Sequence, residues 1–388
     1  MKKKKISILG AGLVGSVIAE DLASSAEFEV VSYDNINKRL NEVSHKTNGN
    51  VKGVQIDLSN SETVSQIALD SDLVVGALPS NLGFFAAKSV IASRCPYVDI
   101  SFASEDLSEL NTLAKEADIP VIVDFGVAPG MSNLLSGLGA SYLDEPKSLE
   151  IVVGGLPVER LFPWEYKAGF SPFDVIEEYV RPARLVIDNK LVVKEALSEV
   201  ELIDLPRVGT VEAFNSDGLR SLLDTLKIPN MRERTLRWPG HAEKMSYLRY
   251  LGLFSLEPIE VSGVKVIPRD FVAKLLFPQW KYDLNEKDFT VMKVEIEGIS
   301  KGELVSHKWY LTDYACQKTG HSSMARTTGF PCAAMVRLIL KGHKIESGVH
   351  FPESLSFDET LVDFIFSEQN KRGIVYKYEK ETLGPQGY

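Results

Sequence analysis

The stretch ISILGAGLVGSVIAEDLASS, residues 6–25, decides how the first part of the chain folds. Residues 6–9 predict a buried strand and residues 13–24 a helix, joined by a turn of the form G-x-G-x-x-G. The first glycine of such a turn permits the sharp reversal, the second lets a pyrophosphate approach the backbone, and the third lets the helix pack closely. The N–H groups and the dipole of the helix favour a bound phosphate. The residues expected to contact a dinucleotide here are Gly10, Gly12, Leu13, Val14 and Gly15.

Two other interpretations of this stretch are a secretory signal and a glycine-rich turn without a ligand. The run Lys2–Lys5 fits the start of a signal, but Gly10 interrupts the apolar run and acidic residues follow it. The ligand-free turn is disfavoured because a second strand, predicted over residues 28–33, ends at Asp34. An acid about twenty residues beyond the first glycine commonly binds the adenosine ribose hydroxyls, which predicts NAD rather than NADP.

Strands and helices alternate through the first third of the chain. Beyond the second strand, strands are predicted over residues 53–56, 73–78, 97–100 and 121–123, and helices over residues 61–68, 83–93 and 107–117. This alternation predicts an α/β fold with a doubly wound parallel sheet, whose ligands bind beyond the carboxyl ends of the strands. The cofactor is therefore also expected to contact residues at those ends, namely Asp57, Leu58, Ala77 and Leu78.

Longer strands of alternating polarity replace this pattern in the middle of the chain. Residues 289–311 predict a β-hairpin that turns at residues 300–302. Residues 327–344 predict a helix with Pro331 in its first turn and Gly342 at its carboxyl end. We expect this helix to return to the first domain.

Composition and charge narrow the classes of function. The chain has 388 residues, 44% hydrophobic and 25% charged, which is typical of a soluble protein with two domains. Its net charge of −10 argues against a nucleic-acid partner, and no apolar stretch has membrane-spanning length. The three cysteines are far apart, and neither they nor the histidines show metal-ligand spacing. These features predict a cytoplasmic protein without a bound metal or a membrane partner.

Six motifs, in order along the chain, together resemble the saccharopine dehydrogenase family. They read GALPSNLG, VDISFASED, VDFGVAPGMSN, EYKAGFSPFDVIEEYVRPARLVIDN, TLRWPGHAEK and ARTTGFPCAAMVRLIL. The second and third motifs look most similar to the branch of the family that contains L-lysine 6-dehydrogenase.

The resemblance implies a Rossmann-type doubly wound parallel sheet with an inserted second α/β (α+β) domain, whose sheet helps to form a homodimer or a higher homo-oligomer. It also implies that a nicotinamide cofactor accepts hydride from a C–N bond of a small amino-acid substrate. In the lysine branch the ε-amine becomes an imine, which water opens to the semialdehyde with release of ammonia. The expected domains are residues 1–128 for dinucleotide binding, residues 129–325 for substrate binding and dimerisation, and residues 326–388 for the return to the first domain.

Two positions favour the lysine branch. Saccharopine reductases commonly use NADP and carry basic or hydroxyl residues where this chain has Asp34, and many carry a tyrosine where it has Phe102. Phe102 is therefore expected to contact the substrate, although Lys38 and Arg39 would still admit NADP. Two alternatives stay open: a saccharopine- or carboxynorspermidine-type secondary-amine dehydrogenase or reductase, and a dinucleotide-binding sensor without turnover.

Oxidation of an amine requires a group that accepts its proton. Asp124, at the end of a predicted strand, is the first catalytic candidate and Asp99 the second, unless they are a turn cap and a structural hydrogen-bond acceptor. Lys167 is a candidate for the substrate site unless it is a solvated strand residue. His241 is a candidate proton relay unless it is structural.

Arg237 lies in the segment TLRWPG, and the related reductases have a similar segment. A guanidinium group grips a carboxylate through two parallel hydrogen bonds. Arg237 is therefore expected to bind the α-carboxylate of the substrate. The alternative is a structural ion pair with Glu212 or Asp217.

Overall fold

The computed structural model describes residues 2–283 and 286–383, which form two compact units. The first unit comprises the chain up to Leu138 together with Ala325–Val375. The second comprises Gly139–Met324 together with the residues from Tyr376 onwards. The chain thus leaves the first unit and comes back to it.

Eighteen strands are present in the described residues. They are β1 (Lys4–Leu9), β2 (Phe28–Asp34), β3 (Val51–Gln55), β4 (Leu73–Gly76), β5 (Tyr97–Asp99), β6 (Pro120–Ile122), β7 (Glu145–Pro157), β8 (Ala183–Ile187), β9 (Lys190–Lys194), β10 (Glu201–Leu205), β11 (Gly209–Asn215), β12 (Asn230–Arg237), β13 (Ile259–Val261), β14 (Val264–Val266), β15 (Asp288–Ser300), β16 (Glu303–Tyr314), β17 (Gly348–His350) and β18 (Tyr376–Thr382).

Twelve α-helices are present in the same residues, together with short 3₁₀ helices at Leu107–Leu110 and Pro352–Leu355. They are α1 (Leu13–Ala23), α2 (Asn37–Lys46), α3 (Ser61–Leu69), α4 (Ser80–Ala92), α5 (Asn111–Ala117), α6 (Met131–Ser141), α7 (Pro172–Val180), α8 (Leu222–Thr225), α9 (His241–Tyr250), α10 (Pro268–Trp280), α11 (Ser323–Leu340) and α12 (Glu359–Lys371). Within the described chain, no helix combines the length and the hydropathy needed to cross a membrane.

The first unit is built on a seven-stranded parallel sheet with the order β17-β6-β5-β4-β1-β2-β3. Its central strands are apolar and fully buried, as in Ile6 and Ile8 of β1 and Val74 and Val75 of β4, because helices cover both faces of a doubly wound sheet. The direction of strand order reverses at β1, between β2 and β4. Such a switch point is where these sheets bind ligands. The predicted Rossmann-type fold is confirmed.

The second unit is built on a nine-stranded sheet whose main order is β10-β11-β12-β7-β15-β16-β18. β12 and β7 run parallel, whereas the other neighbours on this path are antiparallel. The predicted hairpin is β15 and β16, and its turn contains Lys301 and Gly302, both with positive φ. Side chains alternate between the two faces of each strand, so Glu233, Thr235 and Arg237 share one face of β12 and Arg234 lies on the other.

The helix predicted to begin at residue 327 begins four residues earlier, at Ser323, and Pro331 lies inside it rather than in its first turn. Asp288, on β15, explains the earlier start. Its buried carboxylate accepts hydrogen bonds from the backbone N–H groups of Ser323 at 2.7 Å and Met324 at 2.9 Å. A helix begins where its free N–H groups find acceptors, and here the acceptor comes from another strand.

The last strand also differs from the expectation that residues 326–388 return to the first unit. β18 pairs antiparallel with β16, from Tyr376 opposite Leu311 to Thr382 opposite Val305. An edge strand joins whichever sheet offers unpaired backbone groups, and β16 offers them. The return to the first unit therefore ends at Val375.

Candidate functional site

The glycine-rich turn after β1 has no room for side chains on its inner side. Gly10 has a φ of +104°, and a Cβ atom there would overlap the carbonyl oxygen of Ala77, which follows β4. A Cβ atom on Gly15 would overlap the carbonyl oxygen of Gly10. Only glycine permits this approach of α1 to the turn. Gly12, in contrast, has no atom within 4 Å of an added Cβ, so its surroundings are open.

Asp34, at the carboxyl end of β2, faces the same turn. Its side chain is buried, and Oδ2 accepts a hydrogen bond of 2.8 Å from the backbone N–H of Ala11. Oδ1 accepts one of 2.8 Å from the backbone N–H of Ile36. Each carboxylate oxygen has a second lone pair, which leaves both of them able to accept a hydroxyl. Arg39 lies 3.6 Å from Oδ2 through Nη1, and its side chain is half exposed.

These features fit a dinucleotide. The open backbone at Gly12 and the free N–H groups at the start of α1 suit a pyrophosphate, and Asp34 suits a ribose diol. The other residues predicted to contact the cofactor differ in their burial. Leu13 and Asp57 are exposed, Leu58 is buried, and Val14, Ala77 and Leu78 are half-buried. Hydrogen bonds from the backbone and hydroxyl of Ser59 hold the pKa of Asp57 below its usual range.

Two buried carboxylates follow β5 and β6. Asp99 accepts hydrogen bonds from the Tyr97 hydroxyl at 3.1 Å and the Ser101 hydroxyl at 2.6 Å. Burial, reinforced by the negative charge of Asp124, raises the pKa of Asp99 to about 7. Asp124 is also buried and has a φ of +54°. The structure therefore brings together two of the predicted catalytic residues, Asp99 and Asp124, and Phe102 is half-buried in the loop after β5.

Arg237, at the end of β12 in the second unit, is the centre of a separate buried cluster. Its side chain is 3% exposed, and its guanidinium lies over the Tyr166 ring at 4.7 Å from the centroid. Nη2 donates to Oε2 of Glu178 at 2.5 Å, and Nη1 donates to the Leu236 carbonyl at 2.8 Å. Nε is buried without a hydrogen-bond partner among the described residues.

Arg237 pairs with Glu178 and not with Glu212 or Asp217, the two ion-pair partners predicted from the sequence. Glu212 accepts hydrogen bonds from the backbone N–H groups of Gly240 and Ala242, so it caps α9. Asp217 binds Arg184 through two hydrogen bonds of 2.8 and 2.9 Å.

His241 is buried beside Arg237 and is neutral. Burial, and then the positive charge of Arg237, lower its pKa to about 3. Nδ1 lies 3.3 Å from the Trp164 carbonyl, which can only accept, so this nitrogen carries the proton. Nε2 then accepts from the Tyr179 hydroxyl at 2.8 Å. This closed network disfavours the predicted proton relay, because a relay at neutral pH needs a group that titrates near it.

The side chain of Lys167 is also held by an ion pair and a hydrogen bond. Its ammonium lies 2.9 Å from a carboxylate oxygen of Glu286 and donates to the Lys281 carbonyl at 2.9 Å. These contacts supply a structural role for Lys167. The residues that sequence reasoning missed are Glu178, Tyr166 and Tyr179, which surround Arg237. The motif EYKAGFSPFDVIEEYV contains all three, but nothing in its pattern connects them with a residue on β12.

Two models of one protein family match this chain. Residues 6–122 match the saccharopine dehydrogenase NADP binding domain, and residues 126–374 match the saccharopine dehydrogenase C-terminal domain. A solved structure of saccharopine dehydrogenase (L-Glu forming) from Saccharomyces cerevisiae has the same fold, with a TM-score of 0.80 and 20% identity over 98% of this chain and 100% of that one.

Known proteins of similar sequence carry related names. Mitochondrial alpha-aminoadipic semialdehyde synthase of Bos taurus is 24% identical over 452 residues, covering 96% of this chain and 47% of the bovine protein. The NADP(+), L-glutamate-forming saccharopine dehydrogenase of S. cerevisiae is 22% identical, covering 96% and 98%. Carboxyaminopropylagmatine dehydrogenase of Synechocystis is 22% identical, covering 92% and 94%. The chain spans about half the length of the mammalian relative. Because both domain models match in order and together span most of its length, the chain belongs to the saccharopine dehydrogenase family.

Proposed function

We propose that this protein is an NAD-dependent oxidoreductase that oxidises the distal C–N bond of an α-amino acid, with the ε-amine of L-lysine as its substrate. The observation that carries the proposal is the buried guanidinium of Arg237, which has an unpaired Nε and lies over an aromatic ring. Burying a cation costs free energy unless its hydrogen-bond donors are paired, so a buried cation with an unpaired donor is a candidate for ligand binding. A substrate carboxylate supplies the missing acceptor, and membership of a family of amino-acid dehydrogenases supports this assignment.

The reaction balances without a second organic substrate. The ammonium form of the amine, NAD⁺ and water give the semialdehyde, NADH, ammonium and one proton. The nicotinamide supplies hydride acceptance when it is bound. The protein must take a proton from the amine, because only the neutral amine has the lone pair that forms the imine. It must then admit water, which releases ammonia and the aldehyde.

Asp124 is a better candidate than Asp99 for the group that accepts the proton of the amine. With a pKa of about 7, Asp99 holds a proton for part of the time at neutral pH. Because two neighbouring carboxylates repel each other when both are charged, Asp99 and Asp124 favour a state in which only one of them is ionised. Asp99 also has two hydroxyl donors from neighbouring residues. We assign Asp124 as the base and Asp99 as the residue that adjusts its charge.

We propose NAD as the cofactor, although the matched family model and the yeast relative are both named for NADP. A 2′-phosphate would bring negative charge next to the buried carboxylate of Asp34. Arg39 is the group that would offset this repulsion, because it already lies 3.6 Å from Asp34 and is half exposed. NADP is therefore proposed as a poorer second cofactor.

The second candidate function is oxidation of a secondary amine such as saccharopine. The names of the relatives favour it. A carboxylate-binding arginine suits this substrate equally well, so the two candidates differ in what the distal nitrogen carries.

We expect the purified protein to form NADH from L-lysine and NAD alone, faster at alkaline pH because more amine is then neutral. The measurement is absorbance at 340 nm with lysine, with saccharopine, and in reverse with lysine, 2-oxoglutarate and reduced cofactor. Activity with saccharopine only would replace lysine by the second candidate. Dinucleotide binding without turnover of any of these substrates would indicate a sensor.

Replacing Asp124 by Asn should lower kcat roughly a hundredfold or more, because the proton acceptor is lost. Asn tolerates the positive φ of this position, so the fold and the Kd for NAD should stay unchanged. The control is Asp99→Asn, which keeps Asp124 and should retain most of the turnover with a shifted pH profile. Near-normal turnover in Asp124→Asn would remove Asp124 from the mechanism.

Replacing Asp34 by Ser should raise the KM for NAD roughly tenfold and improve the use of NADP, because a ribose acceptor is lost together with the negative charge. The double variant Asp34→Ser, Arg39→Ala is the matched control, and it should lose the gain with NADP. Kinetics with both cofactors provide the measurement. If the unmodified protein already used NADP better than NAD, our account of Asp34 would be wrong.

Replacing Arg237 by Met should raise the KM for lysine at least tenfold and leave NAD binding unchanged, because a charge-assisted carboxylate contact is lost. The matched control is Arg234→Met. Arg234 is also buried on β12, but it lies on the opposite face and binds Glu150 and Glu201. The control should lower thermal stability while sparing the KM. An Arg237→Met protein that lost stability but kept its KM would show that Arg237 is structural.

A further inference from the structure

Arg237 and Glu178 form an ion pair in which each side chain can still make a further hydrogen bond. Nη2 of Arg237 and Oε2 of Glu178 are 2.5 Å apart. Nε of Arg237 has no hydrogen-bond partner in the described part of the chain. The side chain of Glu178 is 24% exposed, whereas that of Arg237 is 3% exposed. The carboxylate is therefore the accessible partner, and a carboxylate has more acceptor sites than one arginine contact uses.

Two further acidic residues lie within electrostatic reach of Glu178. Asp174, one turn earlier on α7, and Arg237 both act on Glu178, and burial raises its pKa despite the opposing effect of Arg237. Glu233 is a further buried acid within electrostatic reach of Glu178, and burial raises its pKa to about 7. Glu178 thus has acidic neighbours as well as its partner Arg237. Such an environment attracts a further cation.

We propose that Glu178 binds the α-ammonium group of the substrate next to the α-carboxylate held by Arg237, so that the cluster recognises an intact α-amino acid. This proposal rests on the proposed function. The ammonium and the carboxylate of an α-amino acid are attached to the same carbon, so their binding partners must be neighbours of opposite charge. Arg237 and Glu178 meet this requirement, and the Tyr166 ring over the guanidinium holds its plane in one orientation.

The arrangement determines which nitrogen of a diamino acid can react. An amine held as an ammonium by a carboxylate has no lone pair and cannot become an imine. The α-nitrogen of lysine is thereby protected, and oxidation is directed to the distal nitrogen. Glu178 is in this sense a specificity-determining residue.

The test compares L-lysine with 6-aminohexanoate, which has the carboxylate and the distal amine but no α-amine. The substitution is Glu178→Gln, which removes the charge and keeps the shape. Its matched control is Glu177→Gln, the adjacent residue on α7, which binds Arg269 at 2.6 Å instead. We measure kcat and KM for NADH formation with each compound, together with the melting temperature of each variant.

The unmodified protein should prefer lysine to 6-aminohexanoate. Glu178→Gln should raise the KM for lysine roughly ten- to a hundredfold, the usual effect of losing one charged hydrogen bond, and change the KM for 6-aminohexanoate less than twofold. Glu177→Gln should leave the preference intact, and Glu178→Asp should restore part of it. Equal losses for both compounds in Glu178→Gln would mean that Glu178 only positions Arg237, and would overturn the proposal.

Calorimetric titration of both compounds into each variant separates this proposal from the proposed function. If no NADH forms, the proposed function fails, and binding alone then decides the role of Glu178. Tighter binding of lysine than of 6-aminohexanoate, lost in Glu178→Gln and kept in Glu177→Gln, would support it. Equal affinity for the two compounds, or no binding of either, would overturn it.

Discussion

The first unit depends on one close approach between backbone segments. Gly15 at the start of α1 lies against the carbonyl oxygen of Gly10, and Gly10 lies against the carbonyl oxygen of Ala77. A Cβ atom at either glycine would overlap backbone, and Gly10 and Ala77 directly follow the paired strands β1 and β4. The contact therefore fixes the end of α1 at the switch point of the sheet. The N–H groups of that helix end and the acceptors of Asp34 then face the same turn, because Asp34 binds the turn at Ala11.

The second unit contains a buried cluster of charged and polar side chains. Arg237, Glu178, Glu233 and His241 lie in or beside one apolar cluster that includes Tyr166 and Tyr179. Burial is the main cause of the shifted pKa values in this cluster: His241 is held neutral, and Glu233 keeps its proton to near neutral pH. Buried ionic groups seldom stabilise a fold by themselves. The proposed binding of a small zwitterion would account for their presence here.

Two buried carboxylates of the first unit, Asp34 and Asp99, have different surroundings. Asp34 accepts hydrogen bonds from the backbone N–H groups of Ala11 and Ile36. Asp99 accepts hydrogen bonds from two hydroxyl groups, and burial, reinforced by the negative charge of Asp124, raises its pKa to about 7. At neutral pH, Asp99 therefore holds a proton for part of the time. The pKa of a carboxyl group depends on its burial and its neighbours, and residue type alone does not determine it.

Some features of this protein follow from the sequence because they are local. The strand, turn and helix around G-x-G-x-x-G, the acid at Asp34 and the alternation of β and α segments each depend on residues within a short window, where glycine conformation and apolar periodicity dominate. The family follows too, because its motifs are short and ordered. Other features needed the tertiary structure. The cap of α11 comes from Asp288, 35 residues earlier, and β18 joins β16.

The partner of Arg237 is another feature that only the tertiary structure reveals. Glu178 is 59 residues away on α7, and its neighbour Glu177 has the same chemistry but pairs with Arg269. Adjacent residues of a helix point in directions about 100° apart, so only the packing of α7 on the sheet selects which glutamate meets the arginine. Likewise, the sequence cannot reveal that His241 is neutral, because its pKa depends on burial and on a charge from another element. The sequence determined which chemical groups are available, whereas tertiary packing decided which of them meet, because desolvation and pairing act through space and not along the chain.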